Sequence, residues 1–255
     1  MGAPVAITRE VSPALAACQL THLPRQPIRL DVARAQHAAY VRALTAAGYQ
    51  VEQLPASAEM PDSVFVEDTA IVVDEVAVMT RPGAPARRIE VPAVADALAW
   101  YREVKYIREP GTIDGGDVVV AGRHVFVGLS TRTNHDAVGQ MRRILAPHGY
   151  EVSEITVDHC LHLKSAATVV DAGLLLLNPS WIARDAFDGL ETLAVDAAEP
   201  MAANALRLRD RVIYPAAFPR TAERLRARGL RVELVDASEL AKAEGAVTCC
   251  SLIVG

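Results

Sequence analysis

The sequence lacks the segments that carry a protein into a membrane or an oxidising compartment. No apolar run approaches the roughly 18 residues needed to cross a bilayer. Residues 1–11 contain no basic stretch leading into an apolar one, so no signal peptide is predicted. The 255 residues include four cysteines, and Cys249 and Cys250 are adjacent, which is a poor framework for disulfides. We therefore expect reduced thiols in a cytoplasmic protein with no membrane partner.

Basic residues are not in excess either. The sequence has 26 Lys and Arg against 31 Asp and Glu, for a formal net charge of −5. No basic run dominates, which argues against a nucleic-acid partner. The glycine-rich stretch at 111–116 lacks the lysine and the helix start of a phosphate-binding loop. A small cationic substrate fits this charge balance better.

A weak repeat of about forty to fifty residues runs along the chain. In four copies a glycine ends a helical pattern, and an alternating strand follows it. Helices are predicted to begin at Asp31, at Thr133 or Asn134, and at Thr221. The glycine and strand occupy 48–54, 149–155, 229–235 and, more weakly, 189–195, while a fifth copy at 100–107 lacks the glycine.

Each unit is followed by a predicted hairpin. The hairpins cover 69–80, 117–129, 167–177 and 205–214, with polar or glycine turns. The last unit has half a hairpin at 247–254, and the segment at 4–8 can supply its partner and close a ring. We predict one domain, 1–255, with an α/β fold of five strand–helix–strand–strand units around an axis. The alternative is a doubly wound parallel sheet, which the hairpins disfavour.

Polar residues recur at one position of the repeat, just before or within each hairpin. Equivalent positions in a ring converge at one end of its axis, so these side chains are expected to share one cavity. Taken singly, each has an ordinary explanation, such as a turn aspartate, a surface histidine or a buried thiol. The positions are Asp62, Glu67, Asp68, Asp114, His162, Asn204 and Cys249.

A zinc site is a second interpretation of the segment around His162. His159, Cys160 and His162 carry imidazole and thiol groups, which zinc prefers. In an extended segment, however, His159 points away from the other two residues. No second pair of ligands follows at zinc spacing, so the sequence predicts no metal.

Seven short motifs lie in order along nearly the whole chain. They are DSVFVED at 62–68, TRPGA at 80–84, DGGD at 114–117, STRTN at 130–134, LHLKS at 161–165, AAN at 202–204 and TCCS at 248–251. Together they resemble the dimethylarginine dimethylaminohydrolase family of the guanidine-modifying, or pentein, superfamily. The resemblance implies a five-bladed α/β propeller that hydrolyses Nω-methylated arginines to citrulline and a methylamine without a cofactor.

The same resemblance implies a role for nine residues. Cys249 is expected to be the nucleophile, His162 the general acid and base, and Asp114 the carboxylate that orients His162. Some relatives have glutamate where Asp114 stands. The residues implied for substrate binding are Glu67 and Asp68 at the guanidinium, Arg87 and Arg132 at the carboxylate, and Asp62 and the backbone of Leu20 at the α-amino group.

The chemistry of a guanidinium explains why such residues are needed. Paired carboxylates hold the planar cation by charge-assisted hydrogen bonds. A free cysteine is mostly protonated at neutral pH, and a cation beside Cys249 favours the reactive thiolate. We therefore expect the substrate itself to help deprotonate Cys249. The alternatives are an arginine deiminase acting on unmethylated arginine and a non-enzymatic binding protein on the same ring. The predicted assembly is a monomer or a homodimer.

Overall fold

The chain forms five separate three-stranded sheets in a computed structural model that describes residues 3–255. The middle strand of each sheet pairs antiparallel with one neighbour and parallel with the other. The strands are β1 (Val5–Arg9), β2 (Gln50–Leu54), β3 (Ala70–Val72), β4 (Val76–Met79), β5 (Glu103–Tyr106), β6 (Val118–Ala121), β7 (His124–Leu129), β8 (Glu151–Thr156), β9 (Ala167–Asp171), β10 (Leu174–Leu177), β11 (Glu191–Ala194), β12 (Leu206–Arg207), β13 (Val212–Pro215), β14 (Val232–Val235) and β15 (Leu252–Val254).

The two ends of the chain meet in one sheet. Four sheets consist of consecutive strands, whereas the fifth has the order β15-β1-β2. Val5 lies opposite Val254 and Ile7 opposite Leu252 in an antiparallel register. The predicted ring closure is thus confirmed, and the fold is a five-bladed α/β propeller. The doubly wound alternative is wrong, because an antiparallel pair in every sheet replaces strict strand–helix alternation.

Helices cross from the middle strand to the outer strand in four of the blades. Asn134 caps α3 (His135–Leu145) as predicted, since its side chain accepts a hydrogen bond from the Ala137 amide at 3.0 Å. Two predicted helix starts are wrong. Asp31 lies in the first turn of α1 (Leu30–Ala46) rather than at its cap, and α5 (Pro219–Ala227) begins two residues before Thr221, at a proline that suits the first helical turn. The helices are α1 (Leu30–Ala46), α2 (Val91–Leu98), α3 (His135–Leu145), α4 (Leu163–Ala166), α5 (Pro219–Ala227) and α6 (Ser238–Ala241).

The glycines that mark the repeat adopt the left-handed conformation that was expected of them. Gly48, Gly149, Gly189 and Gly229 have φ angles of 86°, 77°, 76° and 81°. Such angles are costly for other residues and end the helical segment before the outer strand. In the fourth blade a short 3₁₀ turn, Arg184–Ala186, replaces the crossing helix. This explains why the sequence repeat is weakest there.

The inner strands β3, β6, β9, β12 and β15 surround a central cavity of about 290 Å³. Glu67, Gly115, Lys164 and Thr248, which precede these strands, also line it. The inner strands therefore radiate from one axis and deliver the residues before them to one end of that axis. Within the described part of the chain, no helix is both long and apolar enough to span a membrane.

Candidate active site

Four short turns before inner strands carry most of the predicted site. They are the 3₁₀ turns Val66–Thr69, Gly115–Asp117 and Thr248–Cys250, and the helix α4, which His162 precedes. The prediction that Cys249 lies within the closing strand is wrong. It lies in the turn Thr248–Cys250 before β15. The polar backbone and side-chain groups of this turn face the site instead of pairing with a neighbouring strand.

His162 is buried between two aspartates. Its Nε2 lies 3.2 Å from Asp114 Oδ2, and its Nδ1 lies 3.8 Å from Asp68 Oδ1. Asp114 is fully buried, and its other oxygen accepts a hydrogen bond from the Gly83 amide at 2.9 Å. Burial by itself lowers the pKa of His162, but the surrounding carboxylates of Asp68, Asp117 and Asp114 raise it to about 9. The imidazole is therefore a cation at neutral pH and able to donate a proton.

The backbone of Gly116 lies directly against the imidazole. A β-carbon at this position would be 2.5 Å from His162 Nδ1 and 2.9 Å from Asp68 Oδ1. The Gly116 amide donates a hydrogen bond to Asp68 Oδ1 at 3.0 Å. Only glycine permits this approach, so the second glycine of DGGD shapes the site itself.

Asp117 binds the backbone next to His162 and two nearby hydroxyls, a role that the sequence did not predict. Its Oδ1 accepts the Leu163 amide at 2.9 Å, and its Oδ2 accepts the hydroxyls of Ser130 and Thr133, both at 2.6 Å. Burial raises the pKa of Asp117 to about 6, although the nearby His162 opposes this. The motif DGGD contains the signal, because it has a second aspartate three residues after Asp114, to which the resemblance assigns no role.

Arg87 is buried among acids. Its Nη1 lies 2.5 Å from Asp68 Oδ2, and its Nε and Nη2 donate to Glu90 at 3.1 and 2.8 Å. Nη2 also donates to the carbonyl oxygen of Phe65 at 2.9 Å. A guanidinium has five N–H groups, so these contacts leave at most one for a substrate. The carboxylate-binding role of Arg87 stays a prediction, while its orientation of Asp68 is a geometric fact that the sequence did not reveal.

Glu67 closes the site toward the central cavity. Lys164 Nζ lies 2.6 Å from Glu67 Oε1 and also donates to the carbonyl of Gly115 at 3.2 Å. Thr248 Oγ1 donates to Glu67 Oε2 at 2.7 Å. This last bond joins the turn that carries Glu67 and Asp68 to the turn that carries Cys249.

Cys249 accepts a backbone hydrogen bond and lies near two carboxylates. The Ala246 amide donates to its Sγ at 3.4 Å. Burial raises its pKa well above the usual range, and the carboxylates of Glu67 and Asp68 raise it further. The thiol is therefore protonated at neutral pH in the ligand-free site. Cys250 packs in the apolar core, and burial likewise raises its pKa.

The residues expected to bind the amino-acid end of a substrate lie beside the segment 19–23, which we call the lid. Asp62 accepts the Gln19 amide at 3.1 Å, and Arg132 Nη2 donates to Thr21 Oγ1 at 3.0 Å. Leu20 lies between these two contacts. Arg132 Nη1 is also 3.6 Å from Asp114 Oδ2. One edge of the site thus consists of Asp62, Leu20 and Arg132, next to Asp114 and His162.

One group of side chains in the described chain has the spacing of a metal site. Single ligand atoms of Asp68, Asp114 and His162 lie within 4.8 Å of one another. Each of them already takes part in the hydrogen bonds described above. His159 and Cys160 do not belong to this group, and Cys160 Sγ donates to the carbonyl of His162 at 3.2 Å.

Comparison with known proteins places the chain in a family. Residues 19–183 match the family model for N,N dimethylarginine dimethylhydrolase, eukaryotic. The sequence is 37% identical over 226 residues to the N(G),N(G)-dimethylarginine dimethylaminohydrolase of Pseudomonas aeruginosa, covering 87% of this chain and 89% of that protein. The chain belongs to the dimethylarginine dimethylaminohydrolase family. A second relative of the same name, from Streptomyces coelicolor, is 38% identical over 249 residues, which is 97% of this chain and 95% of that one.

Solved structures of the dimethylarginine dimethylaminohydrolase family share the whole fold. A cysteine-to-serine mutant of the Pseudomonas aeruginosa enzyme, complexed with citrulline, aligns with a TM-score of 0.94 at 34% identity over 99% of this chain and 100% of that one. The N-terminal domain of ArgZ, a cyanobacterial arginine dihydrolase, aligns with a TM-score of 0.88 at 18% identity over 100% of this chain and 98% of that one, which shows the fold alone. The five-bladed propeller therefore extends beyond this family.

Proposed function

We propose that this protein hydrolyses Nω-methylated L-arginines to L-citrulline and a methylamine, with the chain 1–255 acting as one catalytic domain. The observation that carries the proposal is the buried His162, held between Asp114 and Asp68, with Cys249 close enough to Asp68 and Glu67 for their charges to raise its pKa. The family relationship supplies the substrate class, because two relatives more than a third identical are named for this activity.

Acidic side chains explain recognition of the cation. Glu67 and Asp68 are both buried, and their bonds to Lys164 and Arg87 fix their orientation. An ionised carboxylate has about four lone-pair positions, so each can accept a further N–H group from a substrate. A planar guanidinium placed between them forms charge-assisted hydrogen bonds in one orientation.

The bound cation also changes the ionisation of Cys249. In the ligand-free site the negative charges of Glu67 and Asp68 oppose formation of the thiolate. A guanidinium beside the sulfur offsets both charges and attracts the thiolate directly. The Cys249 proton passes to solvent as substrate binds, and the thiolate attacks the central guanidinium carbon.

His162 then handles the two proton transfers. The imidazolium, whose pKa is raised to about 9, donates a proton to the departing methylamine nitrogen as the carbon–nitrogen bond breaks. This leaves an S-alkylthiouronium on Cys249. The neutral imidazole then accepts one proton from water as the water oxygen bonds to the same carbon. The carbon–sulfur bond breaks with its electron pair on sulfur, and the remaining hydroxyl proton moves to Cys249, which gives citrulline and the free thiol. Asp114 stabilises the imidazolium throughout, as the third member of a triad does.

A citrulline assay tests the proposal and separates it from its alternatives. Dimethylarginine, monomethylarginine and arginine are supplied in parallel, and citrulline is measured together with the amine released. We expect citrulline from the methylated substrates, none from the Cys249→Ser variant, and near-normal rates from the matched control Cys250→Ala. Faster turnover of arginine with ammonia release would favour a deiminase. Absence of citrulline from all three substrates would favour a binding protein.

A further inference from the structure

Glu244 has a backbone conformation that is unfavourable for glutamate. Its φ angle is 59°, and it is the only residue other than glycine in 3–255 with a positive φ. It ends the turn after α6, where its amide donates to the Ala241 carbonyl and the Gly245 amide donates to the Leu240 carbonyl, both at 3.1 Å. Glycine is the usual residue at such a helix end. A glutamate here indicates that its side chain has a function that outweighs the backbone cost.

The carboxylate of Glu244 binds the lid. Oε2 accepts the amide of Thr21 at 2.9 Å, and Oε1 accepts the amides of His22 and Leu23 at 2.6 and 2.5 Å. Three consecutive amides directed at one carboxylate form a backbone anion site within the protein itself. No other side-chain carboxylate in the described chain accepts amides from three consecutive residues.

The lid also contacts two residues proposed to bind the substrate. Gln19 donates to Asp62, and Thr21 accepts from Arg132, whose other Nη nitrogen is 3.6 Å from Asp114. Fixing the Thr21 backbone therefore fixes the hydroxyl that orients Arg132.

The loop that carries Glu244 continues directly to the nucleophile. Two residues later, the Ala246 amide donates to Cys249 Sγ at 3.4 Å. Glu244, His22 and Leu23 line a cavity of about 280 Å³ that Gly245 and Ala246 also border. One loop therefore contacts both the lid and the sulfur.

We propose that Glu244 is a positioning residue that latches the lid over the active site and thereby sets Arg132 for the carboxylate of the substrate. This inference rests on the proposed function for its kinetic consequence, but the latch itself is a property of the free protein. A lid without the latch leaves Arg132 without its Thr21 partner, so binding of the amino-acid end of the substrate weakens while the Cys249 and His162 chemistry is retained.

Glu244→Gly is the decisive variant, because glycine accepts the positive φ while removing the carboxylate. Hydrogen exchange of the amides of residues 21–23 is measured by mass spectrometry, together with urea unfolding and steady-state kinetics. We expect exchange about tenfold faster, equivalent to the loss of one net hydrogen bond. We also expect KM to rise about tenfold with a smaller change in kcat. The free energy of unfolding should change little, because relief of the positive φ offsets part of the lost hydrogen bonding. Glu244→Gln should restore part of the protection.

Glu239→Gln is the matched control. Glu239 lies on α6, and its carboxylate accepts hydrogen bonds from the Arg29 amide at 2.9 Å and from Lys242 but none from the lid. Its variant should leave both the lid exchange and KM unchanged. Unchanged exchange in Glu244→Gly would overturn the latch, and faster exchange with unchanged KM would overturn the positioning role. A large loss of stability in Glu244→Gly would instead assign Glu244 to structural support. If the wild type forms no citrulline, the proposed function fails while the exchange measurement still decides the latch.

Discussion

The ionisation of Cys249 should depend on the charge of the bound ligand. Burial and the carboxylates of Glu67 and Asp68 raise its pKa, so the free enzyme should carry a thiol at neutral pH. A unit positive charge about 4 Å from the sulfur stabilises the thiolate by about 4 kcal/mol at an effective dielectric constant of about 20. That free energy corresponds to a roughly thousandfold rise in the ratio of thiolate to thiol.

The assay is the ultraviolet absorbance of the thiolate, titrated against pH with methylguanidinium or with methylurea. The two ligands have the same shape and differ in charge. The other cysteines interfere little, because burial raises the pKa of Cys18 and Cys250 and raises that of Cys160 to about 12. The Cys249→Ser variant supplies the blank.

We expect methylguanidinium to move the Cys249 titration strongly toward lower pH and methylurea to leave it in place. Equal effects of the two ligands would show that Coulomb attraction is not responsible. A thiolate already present at pH 7 in the free enzyme would refute the reasoning altogether, since it would mean that Glu67 and Asp68 do not raise the pKa of Cys249.

Two further predictions concern His162 and its surroundings. Gly116→Ala should lower kcat roughly a hundredfold, because a β-carbon 2.5 Å from His162 Nδ1 displaces the imidazole. The control is Gly139→Ala on α3, whose added β-carbon would have its nearest contact 3.7 Å away. This variant should leave kcat unchanged. The pKa of His162 is raised to about 9, so its charge stabilises the fold fully below pH 6.5, and this stability disappears as pH rises through 9. Urea unfolding of wild type and His162→Gln should therefore differ by about 3 kcal/mol more at pH 6.5 than at pH 9.5, and parallel pH profiles would contradict the assignment.

The blade repeat could be predicted because its signals are local. A glycine such as Gly149 readily adopts the positive φ that ends a helix before a strand, whatever the rest of the fold. The alternation of apolar and polar residues along each strand likewise indicates which face of the strand is buried. Two helix starts differ from the prediction by one or two residues. The first-turn preference of proline explains the start of α5 at Pro219, whereas α1 begins one residue before Asp31 with Arg29 at its cap.

The partners of the charged side chains could not be predicted. Arg87 stands beside Arg88 in the sequence and is implied only for carboxylate binding, yet it is buried against Asp68 and Glu90. The sequence does not distinguish an arginine that binds a substrate from one that pairs with a buried acid. The distinction depends on residues that only folding brings near.

The sequence by itself determined the repeat, the ring and the set of residues that face one end of its axis, because these follow from local periodicity and from position within each unit. Only the tertiary structure decided which oxygen meets which nitrogen: Asp114 with His162, Asp117 with Leu163, and Glu244 with the lid. Hydrogen bonds and charges act over a few ångströms, and residues some 220 positions apart, such as Glu244 and Leu23, come within that range only when the blades have assembled.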